Sequence, residues 1–129
     1  MNNEIKKIKQ LLNDYYNSMY WSDGDLVRKT FHKDAKITGY LNDKLLRQSV
    51  EDFASFVENQ LPSPKDKNDS IIFDILTLEV GNTTAVAKVR DNYLGMIFID
   101  ILSLIKTETG WLIYNKLFVL EIINKDEYV

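Results

Sequence analysis

The sequence contains no cysteine, which excludes disulfide bonds, thiolate nucleophiles and cysteine-ligated metal sites together. It contains one histidine, His32, so a metal site built on two histidines is excluded as well. Glycine-rich phosphate loops and the Gly-x-Ser-x-Gly nucleophile motif are also missing. We therefore expect neither a metal ion nor a cofactor, and an ATP-dependent enzyme or a serine hydrolase has no support.

An excess of basic charge is lacking too. Lys and Arg number 16 against 19 Asp and Glu, which gives a net charge of −3, and the two signs are interleaved along the chain. Nucleic acids are bound by a concentrated basic face, so we expect no nucleic-acid partner. Asp100 interrupts the longest apolar run, and the first residues lack the apolar centre of a signal peptide. We accordingly expect a cytoplasmic protein that does not bind a membrane.

The first half of the chain carries helical patterns. Apolar residues at three- and four-residue steps predict an amphipathic helix over residues 5–20. Residues 22–25 end this helix and offer N-cap side chains to a second helix over residues 26–31. A capping-box spacing at Ser49 predicts a third helix that runs to about residue 61, where prolines stop it.

Several segments carry strand patterns. Gly81-Asn82 and the polar link over residues 106–110 are typical of hairpin turns, so the last four strands should pair antiparallel. Residues 32–34 are predicted as a turn before the first strand. The predicted strands span residues 35–40, 45–47, 71–80, 83–93, 96–105 and 111–120.

This order of elements predicts an α+β fold in a single domain over residues 1–129. We expect a cone-shaped barrel, made of a strongly curved and mostly antiparallel sheet with three N-terminal helices packed on its concave side. A content of 45% hydrophobic and 27% charged residues is ordinary for such a soluble domain. A cone that is covered by helices keeps an open mouth and tends to enclose one pocket.

Two stretches give this element order a family resemblance. Residues 31–35, Phe-His-Lys-Asp-Ala, are similar to the Phe-His-Pro-Asp-Ala turn of the nuclear transport factor 2-like (cystatin-like α+β) superfamily. Residues 98–106 and 110–118 resemble the closing hairpin of its "putative lumazine-binding" branch. The superfamily includes ketosteroid isomerases, dehydratases, polyketide cyclases and non-catalytic pocket proteins, so the resemblance implies a fold and a pocket rather than one activity.

Asp100 is the first candidate for a catalytic residue. On strand alternation it shares a face with Phe98 and Leu102. An acid inside an apolar cone has its pKa raised, which suits proton abstraction next to a carbonyl group. The alternative is that Asp100 forms a cross-strand ion pair with Lys88 or Arg90 at a dimer interface or at the rim of the cone.

His32 is the second catalytic candidate, because its unperturbed pKa lies near neutrality. It is either a general acid or base at the mouth of the pocket, or a turn residue that caps the second helix or hydrogen-bonds the adjacent backbone. The sequence leaves both roles open.

Six further residues are candidates for binding a ligand. The tyrosines lie near the predicted mouth and either stack on a flat ligand or belong to the core. Asp91 either reaches the ligand or lies at a turn. Asn115 either binds the ligand or lies at an interface. These six residues are Tyr16, Tyr20, Tyr40, Asp91, Trp111 and Asn115. Alternation along the last strand predicts one face with Trp111, Ile113 and Asn115 and another with Leu112, Tyr114, Lys116 and Phe118.

Three hypotheses for the function follow. The first is a binding protein for a small hydrophobic or aromatic ligand, with an apolar, aromatic-lined pocket. The second is a cofactor-free isomerase, dehydratase or cyclase that uses a pocket Asp with His and Tyr. The third is an interaction module whose pocket its own side chains fill. All three include a homodimer through the sheet face, because an apolar patch containing Leu112, Tyr114 and Phe118 is too large to leave in water.

Overall fold

The computed structural model describes residues 2–121, which form helices at the N-terminal end and one six-stranded sheet. The helices are α1 (Asn2–Tyr20), α2 (Gly24–Thr30) and α3 (Val50–Glu58). The strands are β1 (Phe31–Leu41), β2 (Lys44–Ser49), β3 (Phe73–Val80), β4 (Thr84–Tyr93), β5 (Met96–Thr107) and β6 (Gly110–Leu120). The predicted order of helices and strands is therefore confirmed.

Side-chain caps start the two shorter helices where the sequence predicts them. The carboxylate of Asp23 accepts a hydrogen bond from the Leu26 N–H at 3.0 Å, and the hydroxyl of Ser49 accepts one from the Asp52 N–H at 3.1 Å. Helix α3 ends at Glu58, earlier than predicted. A proline disfavours helical backbone in the residue before it, so the helix cannot continue to residue 61.

The sheet has the strand order β2-β1-β6-β5-β4-β3. The last four strands pair antiparallel as predicted, whereas β1 and β6 pair in parallel. Strands β2 and β3 lie at opposite edges of the sheet, so the sheet curls without closing into a complete barrel. This arrangement confirms the α+β cone, with α1 and α3 packed on its concave side.

The predicted turn over residues 32–34 is wrong, because these residues belong to β1. The pairing of β1 with β6 shifts register between Phe31 and Lys36, which is a bulge in the strand. A bulge leaves residues unpaired within a strand and disturbs the alternation that the sequence pattern relies on. The polar residues His32, Lys33 and Asp34 therefore look like a turn in the sequence.

A second bulge lies in β6. Leu104 pairs with Ile113 and Ser103 pairs with Asn115, so Tyr114 is the extra residue. After Tyr114 each side chain of β6 lies on the face opposite to the one that simple alternation predicts. Asn115 is therefore on the outer face, together with its partner Ser103. The predicted face assignment is therefore wrong past the bulge.

The concave face of the sheet and the inner faces of the helices form the core. On β4 and β5 the predicted alternation is confirmed, because one face of each strand is buried along most of its length. The buried residues on these two strands are Ala85, Ala87, Val89, Asp91, Tyr93, Phe98, Asp100, Leu102 and Leu104. The core from α1 consists mainly of Ile8, Leu11, Leu12, Tyr15, Tyr16 and Met19.

Candidate functional site

A cavity of about 320 Å³ lies between the helices and the wide end of the curled sheet. Most of its lining is apolar and comes from α1, α3 and five of the strands or their links: Met19, Ile37, Leu41, Leu46, Phe53, Phe56, Leu94, Met96, Phe98 and Phe118. Four polar or charged side chains also line it: Gln48, Asp91, Tyr93 and Lys116. The cavity is thus an apolar space with a few polar groups in its wall, which is the usual composition of a ligand site.

Asp91 is the acid that lines this cavity, and it is 1% exposed. On β4 it lies opposite Phe98, while Asp100 on β5 lies opposite Val89, so the two acids are diagonal neighbours on the concave face. Two carboxyl groups that are buried as diagonal neighbours disfavour a state in which both are charged. Burial, and then the charge of Asp100, raise the pKa of Asp91 well above its usual range. Asp91 therefore favours the protonated form.

Asp100 is equally buried, and a tyrosine from α1 holds it in place. The Tyr15 hydroxyl donates a hydrogen bond of 2.6 Å to Oδ2 of Asp100. Burial raises the pKa of Tyr15, and the charges of Asp100 and Asp91 raise it further, so the tyrosine remains a donor. Oδ1 of Asp100 and Oδ2 of Asp91 have no hydrogen-bond partner within residues 2–121. The alternative for Asp100, an ion pair with Lys88 or Arg90, is wrong, because these two residues lie opposite Ile101 and Ile99 on the other face of the sheet.

Lys116 brings a positive charge to the same wall. It follows the bulge in β6, faces the concave side beside Leu102 and is 6% exposed. Its Nζ lies 4.5 Å from the ring centre of Phe53, 5.0 Å from that of Tyr15 and 5.7 Å from that of Phe118. Such distances are those of cation–π contacts. The charge of Lys116 lowers the pKa of Asp91, but this effect is smaller than that of burial.

Tyr93 completes the polar part of the lining. Its ring packs edge-on against Phe56, and its hydroxyl is buried without a hydrogen-bond partner among residues 2–121. Burial raises its pKa, so the hydroxyl keeps its proton at neutral pH. A buried hydroxyl at a cavity wall is available to a ligand that brings a hydrogen-bond acceptor or donor.

Residues 3–119 match the model of the family described as "Putative lumazine-binding". The chain belongs to this family. Its fold is also that of solved structures called NTF2-like, so the resemblance to the nuclear transport factor 2-like superfamily is confirmed. No curated protein matches the chain significantly.

Three structures illustrate the likeness. An NTF2-like protein of unknown function from Silicibacter pomeroyi is 22% identical, with 93% of this chain and 98% of that chain covered and a TM-score of 0.85. One from Methylobacillus flagellatus, also of unknown function, is 29% identical, with 93% and 94% covered and a TM-score of 0.81. A protein from Streptomyces avermitilis described as a "putative dehydratase from the NTF2-like family" is 11% identical, with 94% and 98% covered and a TM-score of 0.65.

In this family member, His32 lies away from the two acids. Its ring packs against Tyr114, with 4.9 Å between the ring centres, and its Nδ1 accepts a hydrogen bond from the Asp34 N–H at 3.1 Å. It does not line the 320 Å³ cavity. The geometry matches the role of a residue that hydrogen-bonds the adjacent backbone.

Tyr16 and Tyr20 line a second, neighbouring cavity of about 400 Å³ at the end of α1. Their rings stack, with centres 6.0 Å apart. The Tyr16 hydroxyl donates to Oδ1 of Asn92 at 2.6 Å, and the Tyr20 hydroxyl donates to the Asp69 carbonyl oxygen at 2.9 Å. Both hydroxyls are therefore already used within the protein. Tyr40 is 62% exposed and lines neither cavity.

Trp111 and Asn115 are the remaining predicted ligand residues, and neither lines the 320 Å³ cavity. Trp111 lies near the turn that joins β5 to β6, where its indole N–H donates to Glu4 at 3.2 Å and Lys106 forms an ion pair with the same carboxylate. Asn115 is on the outer face because of the bulge at Tyr114. The structure thus brings together Asp91 and Asp100 among the predicted residues, and adds Tyr15, Tyr93 and Lys116.

Residues 2–121 contain no group of three His, Asp or Glu side chains arranged to hold a metal. None of the helices described for these residues has the length and apolar content to cross a bilayer.

Proposed function

We propose that the protein binds one small, flat and mostly apolar molecule in the 320 Å³ cavity. The observation that carries this proposal is the cavity itself, which the surrounding core side chains leave open. Its volume is at the lower end of the range of about 300–1,000 Å³ typical of ligand pockets. A bicyclic aromatic or heterocyclic molecule of the size of lumazine suits this space, and the family description points the same way.

Thermal unfolding with bicyclic probes tests the proposal. Lumazine and 2-naphthol are the probes. A ligand at about 100 times its Kd adds about 2.7 kcal/mol to the free energy of unfolding, which raises Tm by roughly 10 °C. Leu46→Trp fills the cavity and should abolish the shift, whereas Leu76→Trp, on an exposed part of β3, should keep it. No shift with either probe at millimolar concentration would contradict the proposal.

A cofactor-free isomerase, dehydratase or cyclase is the second candidate, and Asp91 is the observation that favours it. A buried carboxyl group with a raised pKa is a stronger base in its deprotonated form, and in that form Asp91 would take a proton from the carbon next to a carbonyl and later return it. The hydroxyl of Tyr93 and the ammonium of Lys116 line the same cavity and could stabilise the enolate oxygen. His32 has no part in this scheme.

Exchange of deuterium from D₂O into 2-tetralone, followed by NMR, tests for such proton transfer. The wild-type protein should accelerate exchange at the carbon next to the carbonyl, and Asp91→Asn should remove the acceleration. Asp74→Asn, which removes an exposed acid from the neighbouring strand, is the matched control. Exchange at the rate of buffer alone would exclude this candidate for enolisable ketones of that size.

We also propose that two copies pair through the outer face of the sheet. Ile101 lies between Lys88 and Leu117, and Ile99 lies beside Val119, so the outward apolar side chains of β5 and β6 form a continuous patch. Its most exposed members include Ile101, Tyr114, Leu117 and Val119. Phe118 is not part of it, contrary to the sequence-based expectation, because the bulge turns it inward. A two-fold pairing of sheets would cover the patch.

Light scattering at micromolar concentration measures this association. The wild-type chain should have the mass of a dimer, and Leu117→Lys with Val119→Lys should give a monomer. Leu61→Lys changes an even more exposed leucine outside the sheet and should leave the dimer intact. A monomeric wild-type chain would contradict the pairing.

A further inference from the structure

Lys116 differs in its surroundings from the other buried or half-buried cations of the described chain. Arg28 pairs with Asp25, Glu51 and Glu58, and Arg90 pairs with Glu121. Lys116 is more deeply buried than either, yet no carboxylate within residues 2–121 comes within salt-bridge distance of its Nζ. Burying a charge without an opposite charge is costly, so this position needs an explanation.

The two acids on the same face, Asp91 and Asp100, do not form an ion pair with Lys116 within residues 2–121. The Tyr15 hydroxyl donates to Asp100, and burial together with the charge of Asp100 favours the protonated form of Asp91. The pair therefore keeps at most one negative charge, which does not come within salt-bridge distance of the ammonium group. Aromatic rings of Phe53 and Tyr15 take the place of a carboxylate next to the ammonium group. Rings attract a cation, but they accept none of its three strong hydrogen bonds.

The ammonium group also lies at the wall of the cavity. Its Nζ is 4.5 Å from the ring centre of Phe53 and 5.7 Å from that of Phe118, and both rings line the cavity together with Lys116 itself. A molecule in the cavity that packs on these rings therefore comes next to the ammonium group. The protonated carboxyl of Asp91, in the same lining, would not repel a negative charge there.

We propose that the ligand of this cavity is an aromatic or alicyclic acid, whose carboxylate binds the ammonium group of Lys116 while its apolar body fills the space between the rings. This inference rests on the proposed binding function and specifies the class of ligand. Charge-assisted hydrogen bonds from a lysine to a carboxylate are among the stronger ones in a site shielded from water. The carboxylate of the ligand would be the ion-pair partner that Lys116 lacks within residues 2–121.

Calorimetric titration with two probes of nearly equal shape tests the inference. 2-Naphthoate carries the carboxylate, and 2-naphthylmethanol replaces it by a neutral hydroxymethyl group. Loss of one partner of a buried charge pair corresponds to roughly thirtyfold or more in affinity. The wild-type protein should therefore bind the acid at least that much more tightly than the alcohol. Equal affinities, or a preference for the alcohol, would overturn the inference while leaving the binding function in place.

Variants at two lysines show which residue causes the preference for the acid over the alcohol. Lys116→Met keeps the length of the side chain without the charge, and it should bind both probes with the affinity of the wild type for the alcohol. Lys116→Arg should retain a preference for the acid, and Lys88→Met, on the outer face of β4, should retain all of it. A preference that survives in Lys116→Met would overturn the inference. If the wild-type chain binds neither probe, the proposed binding function itself fails; if Lys116→Met does not fold, the wild-type comparison and Lys116→Arg still decide.

Discussion

Replacing Asp91 by Asn should stabilise the protein at neutral pH, and the gain should grow as the pH rises. Asn has nearly the shape of a protonated Asp, and its amide can donate hydrogen bonds but cannot ionise. The folded state raises the pKa of Asp91, because burial and the neighbouring Asp100 disfavour its charged form. The folded chain therefore holds this proton at pH values where the unfolded chain has already lost it.

The magnitude follows from proton linkage. Below the pKa of the unfolded chain, about 3.9, Asp91 is protonated in both states and the substitution should change little. Above that value the wild-type free energy of unfolding falls by about 1.4 kcal/mol for each pH unit, until the pH passes the raised pKa of the folded state. The amide of the Asp91→Asn variant does not titrate, so the difference between variant and wild type grows over this interval and then becomes constant.

Urea unfolding of both proteins at half-unit steps between pH 4 and pH 8 measures the difference. The pH at which the difference stops growing reports the pKa of Asp91 in the folded protein. Glu79→Gln removes an exposed acid from β3 and should show no such growth. A difference that is independent of pH, or a variant that becomes less stable than the wild type as the pH rises, would refute the raised pKa of Asp91.

Two further substitutions test the packing around the site. Tyr15→Phe removes the hydroxyl that donates to Asp100 at 2.6 Å and should lower the free energy of unfolding by about 1–3 kcal/mol, since a buried carboxyl oxygen then lacks its donor. Tyr40→Phe, at a 62% exposed position, should change it by less than about 0.5 kcal/mol; equal losses in a urea titration would contradict the role of the Tyr15 hydroxyl. Gly39→Ala places a methyl group against the backbone and ring of Phe118 and should cost about 1–3 kcal/mol and weaken binding of 2-naphthol, because this ring lines the cavity. Gly81→Ala, whose nearest neighbour would be the Thr84 carbonyl oxygen at 3.2 Å, should leave binding unchanged.

The order of the elements could be predicted because its determinants are local. The helical periodicity of residues 5–20, the caps at Asp23 and Ser49 and the turn at Gly81-Asn82 each act over a few residues. The parallel pairing of β1 with β6 joins segments about 80 residues apart, and no local pattern reports it. The resemblance supplied the overall fold, a curved and mostly antiparallel sheet, but not this parallel pair.

The candidate site was predictable only in part, and the bulge at Tyr114 explains the difference. Alternation placed Asp91 and Asp100 correctly, because β4 and β5 pair without interruption between these residues. One extra residue in β6 then moved Lys116 and Phe118 to the concave face and Asn115 to the outer one. A bulge leaves no signature in a strand of Ile, Leu, Tyr and Phe. The alternation pattern therefore assigns Lys116, the cation of the cavity, to the wrong face. Tyr15 was identified as part of the helix, but its bond to Asp100 depends on how α1 crosses the sheet.

Packing of the core alone does not explain why ionisable side chains are buried on the concave face. Asp91, Asp100 and Lys116 each occupy a position that an aliphatic side chain would fill, and replacing buried charges by well-packed apolar residues is often neutral or stabilising. Positions where the local residue type disagrees with its core environment are most often found at functional sites. Asp100 accepts a hydrogen bond from Tyr15 and is the diagonal neighbour of Asp91, whereas Lys116 has aromatic rings as its neighbours and the cavity beside it. A ligand that brings a negative charge would place an opposite charge beside Lys116 and, because it binds only the folded state, would raise the free energy of unfolding.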